Sequence, residues 1–498
     1  MSQIVQSDGV GVLFAPESTP GTQPTSGWLQ LQPNPGGITQ YDRQLVTVER
    51  HILSPNMTAE NGEVVGYDVS PKYVQDLTTD LLDAVRELLF RSATKHSGGK
   101  GQSKYAVSAV TATGYTVASL GDLANGILVE ASGFNTAANN GLKLLAGTSI
   151  ATEIKTTGLT AEATPPANAI VRVAGVQGAT SDITLDASGN LTSTILDFTT
   201  LGLNVGQDIV VGDLTSGAAF AFATAAYNGK ATIVAITAHK ITLKWRAWTV
   251  AGADLGTGQT IRLLFTSWIR NVPIAHADYL AAPTGNMEVS EPGAGTAGAT
   301  DYIYVGGCGL SKWSLAIPLE NKIVATLDFV GMNASEPGAA RATGADAALA
   351  PLLTSVFTTS SNVRTVKLLK QADETVLADE INDIKLNYDN HLKPRKAIGT
   401  DGAKGLTYGE YAPTIDLDTY LIANDTTRAA DTNTSCALHC LLKSADGGFS
   451  LGFPMGKLTK PAKTYAAATP VMQKFTFTAN RDPATGLAWT MSQFAYLP

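Results

Sequence analysis

Gly448-Phe449-Ser450-Leu451-Gly452 matches G-x-S-x-G, the pattern that holds a serine nucleophile on a sharp turn between a strand and a helix. Acyl transfer at Ser450 would need that helix. Phe453-Pro454-Met455-Gly456 follows instead and cannot begin one, so the match reads as accidental. Cys436-Ala-Leu-His439-Cys440 has metal-ligand residue types, but no second ligand cluster completes a tetrahedral site. A strand with Cys436, Leu438 and Cys440 on one face is the simpler reading. His51, His96, His239, His276, His391 and His439 are scattered, none paired at ligand spacing. Asp373, Glu374, Asp379, Glu380 and Asp383 could do acid–base work or hold a cation; a charged turn between strands accounts for them equally well. Gly456-Lys457 is followed by Leu458, which breaks the phosphate-loop pattern. Gly306-Gly307-Cys308-Gly309 precedes a strand and reads as a sharp bend. No catalytic, cofactor-binding or metal-binding residue is assigned, and no cofactor is expected.

The elements around these residues are mostly β. Over 41–69, Leu45, Thr47 and Glu49 alternate with Val46, Val48 and Arg50, and Val64, Val65 and Val69 follow a breaker-rich loop at 53–60. Ser70-Pro71 is a helix-start signal. Val74, Leu77, Leu81, Leu82, Val85, Leu88 and Leu89 then share one helical face, predicting one amphipathic helix over 74–90 that packs across a sheet. Residues 97–103 form a Gly/Ser-rich linker. Beyond it, short β runs and Asn-Gly turns at 140–141 and 228–229 divide 104–175 and 176–270 into two small β modules whose element order suggests a duplication. From 271 the chain again has the character of its first hundred residues. Trp313, Leu315, Ile317 and then Ile323, Ala325, Leu327, Phe329 predict a long hairpin. Strands are expected at 363–369, 384–388 and 471–478, and an extended loop over 390–435.

Composition narrows the function classes. Charged residues make up 16% of the 498 residues, against roughly 25% in soluble proteins generally. Such a weakly charged surface points to burial against copies of the same chain. The net charge of −8 and the lack of a dense basic run exclude tight DNA binding. Three cysteines do not make a disulfide framework. No apolar run is long enough to span a membrane, and the N-terminus lacks a secretion signal, so synthesis and assembly are expected in the cytoplasm.

Glu17-Ser-Thr-Pro-Gly21-Thr22, the strands of 45–69 and the helix through Leu89 occur in an order that resembles tail tube proteins of siphophages, bacteriophages with long non-contractile tails. The 313–329 hairpin leading to Phe329-Val-Gly331, Ile384-Lys-Leu-Asn387 leading to Lys396-Ala-Ile-Gly399, and Phe453-Pro454-Met455 are similar to that family's second half. The resemblance implies a mainly β fold: a β-sandwich, barrel-forming tail tube core (1–103 and 271–498) with one flanking α-helix, plus inserted small β modules. It implies a structural virion protein without enzymatic activity, made in the bacterial cytoplasm. Its hexameric rings would stack into a tube through which the genome passes without sequence-specific binding. Implied partners are sister copies, a tape measure protein inside, and terminator and tip proteins at the ends. The arm 1–40 and the loop 53–62 are expected to stack rings, and 41–69 with 310–331 to form the inner barrel. The modules at 104–270 depart from a minimal subunit and are expected to project outward. Two rivals remain: an adhesin-like or other structural β protein of a tail or capsid, and a hydrolase using Ser450. A carbohydrate-binding role for 104–270 is compatible with the tube.

Overall fold

The computed structural model describes residues 9–49, 62–98, 102–120, 123, 126–147, 149–246, 248, 252–378, 380–411, 413–465 and 467–498. Two large antiparallel systems account for most of the strands: a nineteen-stranded core sheet and a twelve-stranded sheet confined to 104–264. The core sheet draws strands from both sides of that insertion. Lys72–Asp76 pairs with Val324–Val330, Gly11–Pro16 with Gly285–Pro292, and Lys95–His96 with Ser267–Arg270.

One path through the core sheet runs Lys72–Asp76, Val324–Val330, Thr300–Ile317, Ile381–Asp389, Thr414–Tyr420, Met472–Ala479. We refer to it as the front ladder. Its strands alternate, with Trp313, Leu315, Leu327, Leu386, Leu417 and Phe477 buried and the intervening residues polar or half-buried. The other path, the back ladder, runs Val363–Lys370, Cys436–Ser444, Gly447–Leu458, Thr490–Phe494, Ser267–Arg270. Phe449, Leu451 and Phe453 from the back share one core cluster with the front residues and with Leu81, Val85 and Leu89 of the helix. Trp489 is its hub: Phe90 stacks on it at 4.0 Å, and Tyr388, Phe453 and Trp313 lie within 5.1, 5.9 and 6.0 Å.

The helix is Thr79–Phe90, five residues shorter at its start than the apolar spacing predicts. Thr78 caps it by accepting from the Leu81 amide, and Arg91 ends it in the left-handed region at φ 50. The preceding Lys72–Asp76 is a strand, because Tyr73 and Gln75 point inward on a period of two while Val74 faces out. Sequence periodicity merged that strand with the helix. It is the only helix longer than seven residues among the described residues. The 390–435 segment, expected as extended loop, contains the hairpin Lys393–Arg395/Gly405–Thr407, the central strand Thr414–Tyr420 and the helix Asp425–Asp431.

The described part of the expected arm, 9–40, is built into the body. Gly11–Pro16 is paired on both sides, with Val12 and Phe14 in the main core and Leu13 and Ala15 against Trp28. The turn that follows owes its shape to Glu17. Its carboxylate accepts from the amides of Gly21 at 2.8 Å and Gly307 at 2.9 Å and from the Thr284 hydroxyl at 2.7 Å. Gly307 sits at φ +64 in the middle of Thr300–Ile317, where that strand switches partners from Gly285–Pro292 to Val324–Val330. Glu17 therefore clamps the N-terminal strap onto the bend. Glu17→Ala strands those donors and should cost about 1–3 kcal/mol, read as a lower denaturant midpoint at unchanged slope.

Inside the insertion, two sets of six strands pair in the same order. Lys104–Val110, Gly114–Val117, Glu153–Lys155, Gly141–Leu144, Ile127–Ser132 and Ile170–Gln177 form one. Thr184–Leu185, Leu191–Thr192, Lys240–Lys244, Gly229–Thr237, Asp208–Val211 and Arg262–Leu264 form the other. The last strands of the two sets pair with each other, and one hydrophobic cluster runs through both. The expected join at 175 thus falls inside Ile170–Gln177. Ser267–Arg270 lies in the core sheet. The Asn-Gly pairs do not form two-residue turns. Asn140 exchanges hydrogen bonds with the backbone of Phe134 at 3.0 and 2.9 Å, and Asn228 does the same with Phe222 at 2.9 and 3.0 Å. Each loop carries a 3-10 turn, and both read Phe-x-Thr-Ala-Ala-x-Asn-Gly.

Candidate functional site

Three surfaces bear on function. The first is the outward face of the front ladder. Lys72, Lys312, Lys385 and Lys474 share it with Asp76, Asp328, Asp383, Asp389, Asp416 and Asp418, interspersed with Ser314, Thr326, Asn387 and Thr476. Four lysines against six aspartates leave it mildly acidic. Many of these groups are held across strands: Lys474–Asp418 at 2.6 Å, Lys312–Asp389 at 3.4 Å, and Asn387 and Thr476 on Asp416 at 3.1 and 2.7 Å. A face of small polar groups and internally neutralised charge offers phosphate little to grip.

The second is the hairpin Gln44–Val48/Glu63–Asp68, a two-stranded sheet of its own. The expected inner barrel of 41–69 and 310–331 is therefore not joined within one chain: 310–331 lies in the front ladder and this hairpin stands apart. Leu45, Val48, Val64 and Val65 are 60%, 56%, 55% and 54% exposed. Its root is fixed by the Tyr67 amide on the Asp401 carbonyl at 2.9 Å, by Lys396–Asp68 at 2.8 Å, and by Arg43 over the Tyr67 ring at 4.8 Å. An isolated hairpin is marginal in water, and exposed apolar side chains on an unpaired edge mark an association surface. The loop 53–62 that this hairpin carries lies, up to residue 61, outside the described residues.

The third is the back ladder, whose strands Cys436–Ser444, Gly447–Leu458 and Thr490–Phe494 are buried on both faces over most of their length. Cys436, Leu438 and Cys440 face the core. On the other face, Leu441 and Phe494 pack with Leu128, Val210 and Leu264 of the insertion, and Ala437 with Trp245. A buried polar cluster completes this seam. Ser450 Oγ donates to Asp208 Oδ2 at 2.6 Å, and the Thr232 hydroxyl donates to Oδ1. Lys230 Nζ lies 3.0 Å from Asp208 Oδ1 and 2.8 Å from His439 Nδ1. The Ser492 hydroxyl accepts from the Asp208 amide at 2.8 Å. Burial, then the Lys230 ammonium, holds His439 well below the usual imidazole range.

Serine, histidine and aspartate thus meet, but in the wrong order for acyl transfer. The carboxylate, not the imidazole, holds the Ser450 hydroxyl, and Lys230 stands between carboxylate and imidazole. Ser450 is fully buried in the strand Gly447–Leu458, with no following helix. Ser450→Ala should lower stability by about 1–3 kcal/mol by removing a donor from a buried carboxylate, and leave general esterase readings at the background of the unaltered protein.

The acidic group around 381 is split. Asp373 and Glu374 occupy the turn before Val376–Ala378, where Asp373 accepts from the Thr375 amide at 3.0 Å; Asp383 joins the front face; Asp379 lies outside the described residues. His51 is outside them too. Among the described residues no three metal-capable side chains converge, and no helix is long and apolar enough to cross a membrane.

A search of curated proteins found no match. A family model described as phage tail tube protein matches residues 210–479, just over half of the 498 residues. The match spans the last third of the insertion and all of the front ladder except Lys72–Asp76, ending at the last residue of Met472–Ala479. The chain belongs to the phage tail tube protein family.

Proposed function

We propose that this structural tail tube protein forms hexameric rings that stack into the tube of a siphophage tail, the conduit for genome delivery. The carrying observation is the asymmetry of the sandwich: the insertion covers its back while the front ladder presents an open, mildly acidic polar face. A channel wall wants that front, since attraction to phosphate would stall the passing DNA. The body built from 1–103 and the chain from Ser267 onward sits at the wall. The two modules of the insertion, within 104–264, face outward, where a carbohydrate or other host-surface ligand could reach them.

The hairpin Gln44–Val48/Glu63–Asp68 supplies the contact between subunits. Its apolar side chains find cover only against a sister copy, and sheets closed into a common barrel leave no growing edge. Tape measure protein occupies the channel before ejection, and terminator and tip proteins close the ends. The protein works in the virion tail after synthesis in the host bacterial cytoplasm, and it performs no catalysis.

Negative-stain micrographs of the concentrated purified chain test this reading. Uniform hollow rings or tubes are expected. Compact monomers that persist even with tail scaffold supplied would overturn it.

A further inference from the structure

The seam between insertion and core holds a reaction-ready pair of side chains. Lys230 and Asp208 lie on neighbouring strands, Gly229–Thr237 and Asp208–Val211. Asp208 is opposite Thr232, and Val210 is opposite Lys230, so the two side chains are diagonal neighbours on one sheet face. Nζ and Oδ1 are 3.0 Å apart, with the side chains 3% and 1% exposed. We propose that Lys230 and Asp208 condense in the folded protein to an intramolecular amide, an isopeptide bond.

Three features support the chemistry. Burial depresses the Lys230 pKa against the opposing pull of Asp208, which favours the free amine that acts as nucleophile. The hydroxyls of Ser450 and Thr232 each donate to one oxygen of the Asp208 carboxyl. They fix its orientation and steady the charge that grows on oxygen during attack. His439 Nδ1, 2.8 Å from Nζ, offers a neutral imidazole to relay a proton.

The step balances without oxidant or cofactor. The ammonium gives one proton to the carboxylate. The amine lone pair attacks Cγ, forming the C–N bond. The nitrogen loses a second proton through His439 to the departing hydroxyl, the C–O bond breaks, and one water leaves. A small cavity lined by Thr232, Trp245, His439 and Gly452 adjoins the cluster. Between free side chains in water the hydrated ions are favoured over the amide; here burial removes that hydration and fixed proximity supplies the encounter. The product would staple the strand that carries Asp208 to its neighbour, at the place where the insertion is seated on the back ladder.

Intact-mass spectrometry of the full-length, denatured protein tests the proposal directly. A mass one water below the sequence mass is expected, together with a proteolytic fragment joining the Asp208 and Lys230 peptides. K230R should show the full sequence mass, because a guanidinium does not condense. The unaltered protein decides the matter even if K230R fails to fold. The full sequence mass, with Asp208 and Lys230 in separate peptides, would overturn the bond. So would a water loss that maps elsewhere, for example to cyclisation at Asp401-Gly402.

Discussion

The double substitution Leu45→Glu/Val64→Glu is expected to abolish tube formation while leaving the subunit folded. Both side chains are more than half exposed and contribute nothing to the main core. Surface changes of this kind move subunit stability by about 0.5 kcal/mol or less. In the assembled tube the same side chains are proposed to be covered by a sister copy. Each then loses about 1.5–3 kcal/mol of apolar burial and brings an unpaired carboxylate into the contact, and the loss recurs at every subunit. Sedimentation should show monomer at concentrations where the unaltered chain forms tubes, with superimposable thermal melts. Tubes forming at the original concentration would remove the hairpin from the assembly mechanism.

Trp489→Ala should give the largest stability loss of any single substitution considered. The ring is fully buried. Around it meet Phe90 from the helix, Trp313 and Tyr388 from the front ladder and Phe453 from the back ladder. Truncating a buried tryptophan costs about 3–5 kcal/mol, transfer and cavity terms together. Because Phe90 precedes the insertion in sequence and the other rings follow it, the loss should appear as one cooperative transition moving down, monitored by far-ultraviolet circular dichroism and tryptophan fluorescence together. Two separated transitions, with only one displaced, would mean that the flanks fold as independent bodies.

Front-ladder strands could be read from the sequence because one of their faces is buried and the other is polar. Trp313, Leu315 and Ile317 stand out against Lys312, Ser314 and Ala316 for that reason. The back ladder gave a fainter signal. Cys436–Ser444 and Gly447–Leu458 are apolar or small on both faces, since the insertion covers the side that would otherwise be wet. Thr414–Tyr420 does not stand out within a stretch rich in Asp and Thr, because its outward residues are those of the polar front face. The helix starts later than its apolar spacing predicts because Val74 and Leu77 fit helical spacing by coincidence, and the capping Thr78 outweighs the Ser70-Pro71 signal. The repeat within the insertion is visible once the two units are aligned on Phe134 and Phe222; aligned on Gly126 and Gly206, the spacings disagree. The Ser450–Asp208 contact joins residues 242 positions apart, and no local pattern announces it.

Electron cryomicroscopy of tubes assembled from the purified chain is the most direct measurement of the central claim, that the front ladder is the channel wall. Lys312, Asp389, Asp416 and Lys474 are expected at the smallest radius and residues 104–264 at the largest, with the hairpin around Leu45 and Val64 inserted between subunits. A reconstruction with the insertion lining the lumen, or with the front ladder packed dry against another protein layer, would contradict it.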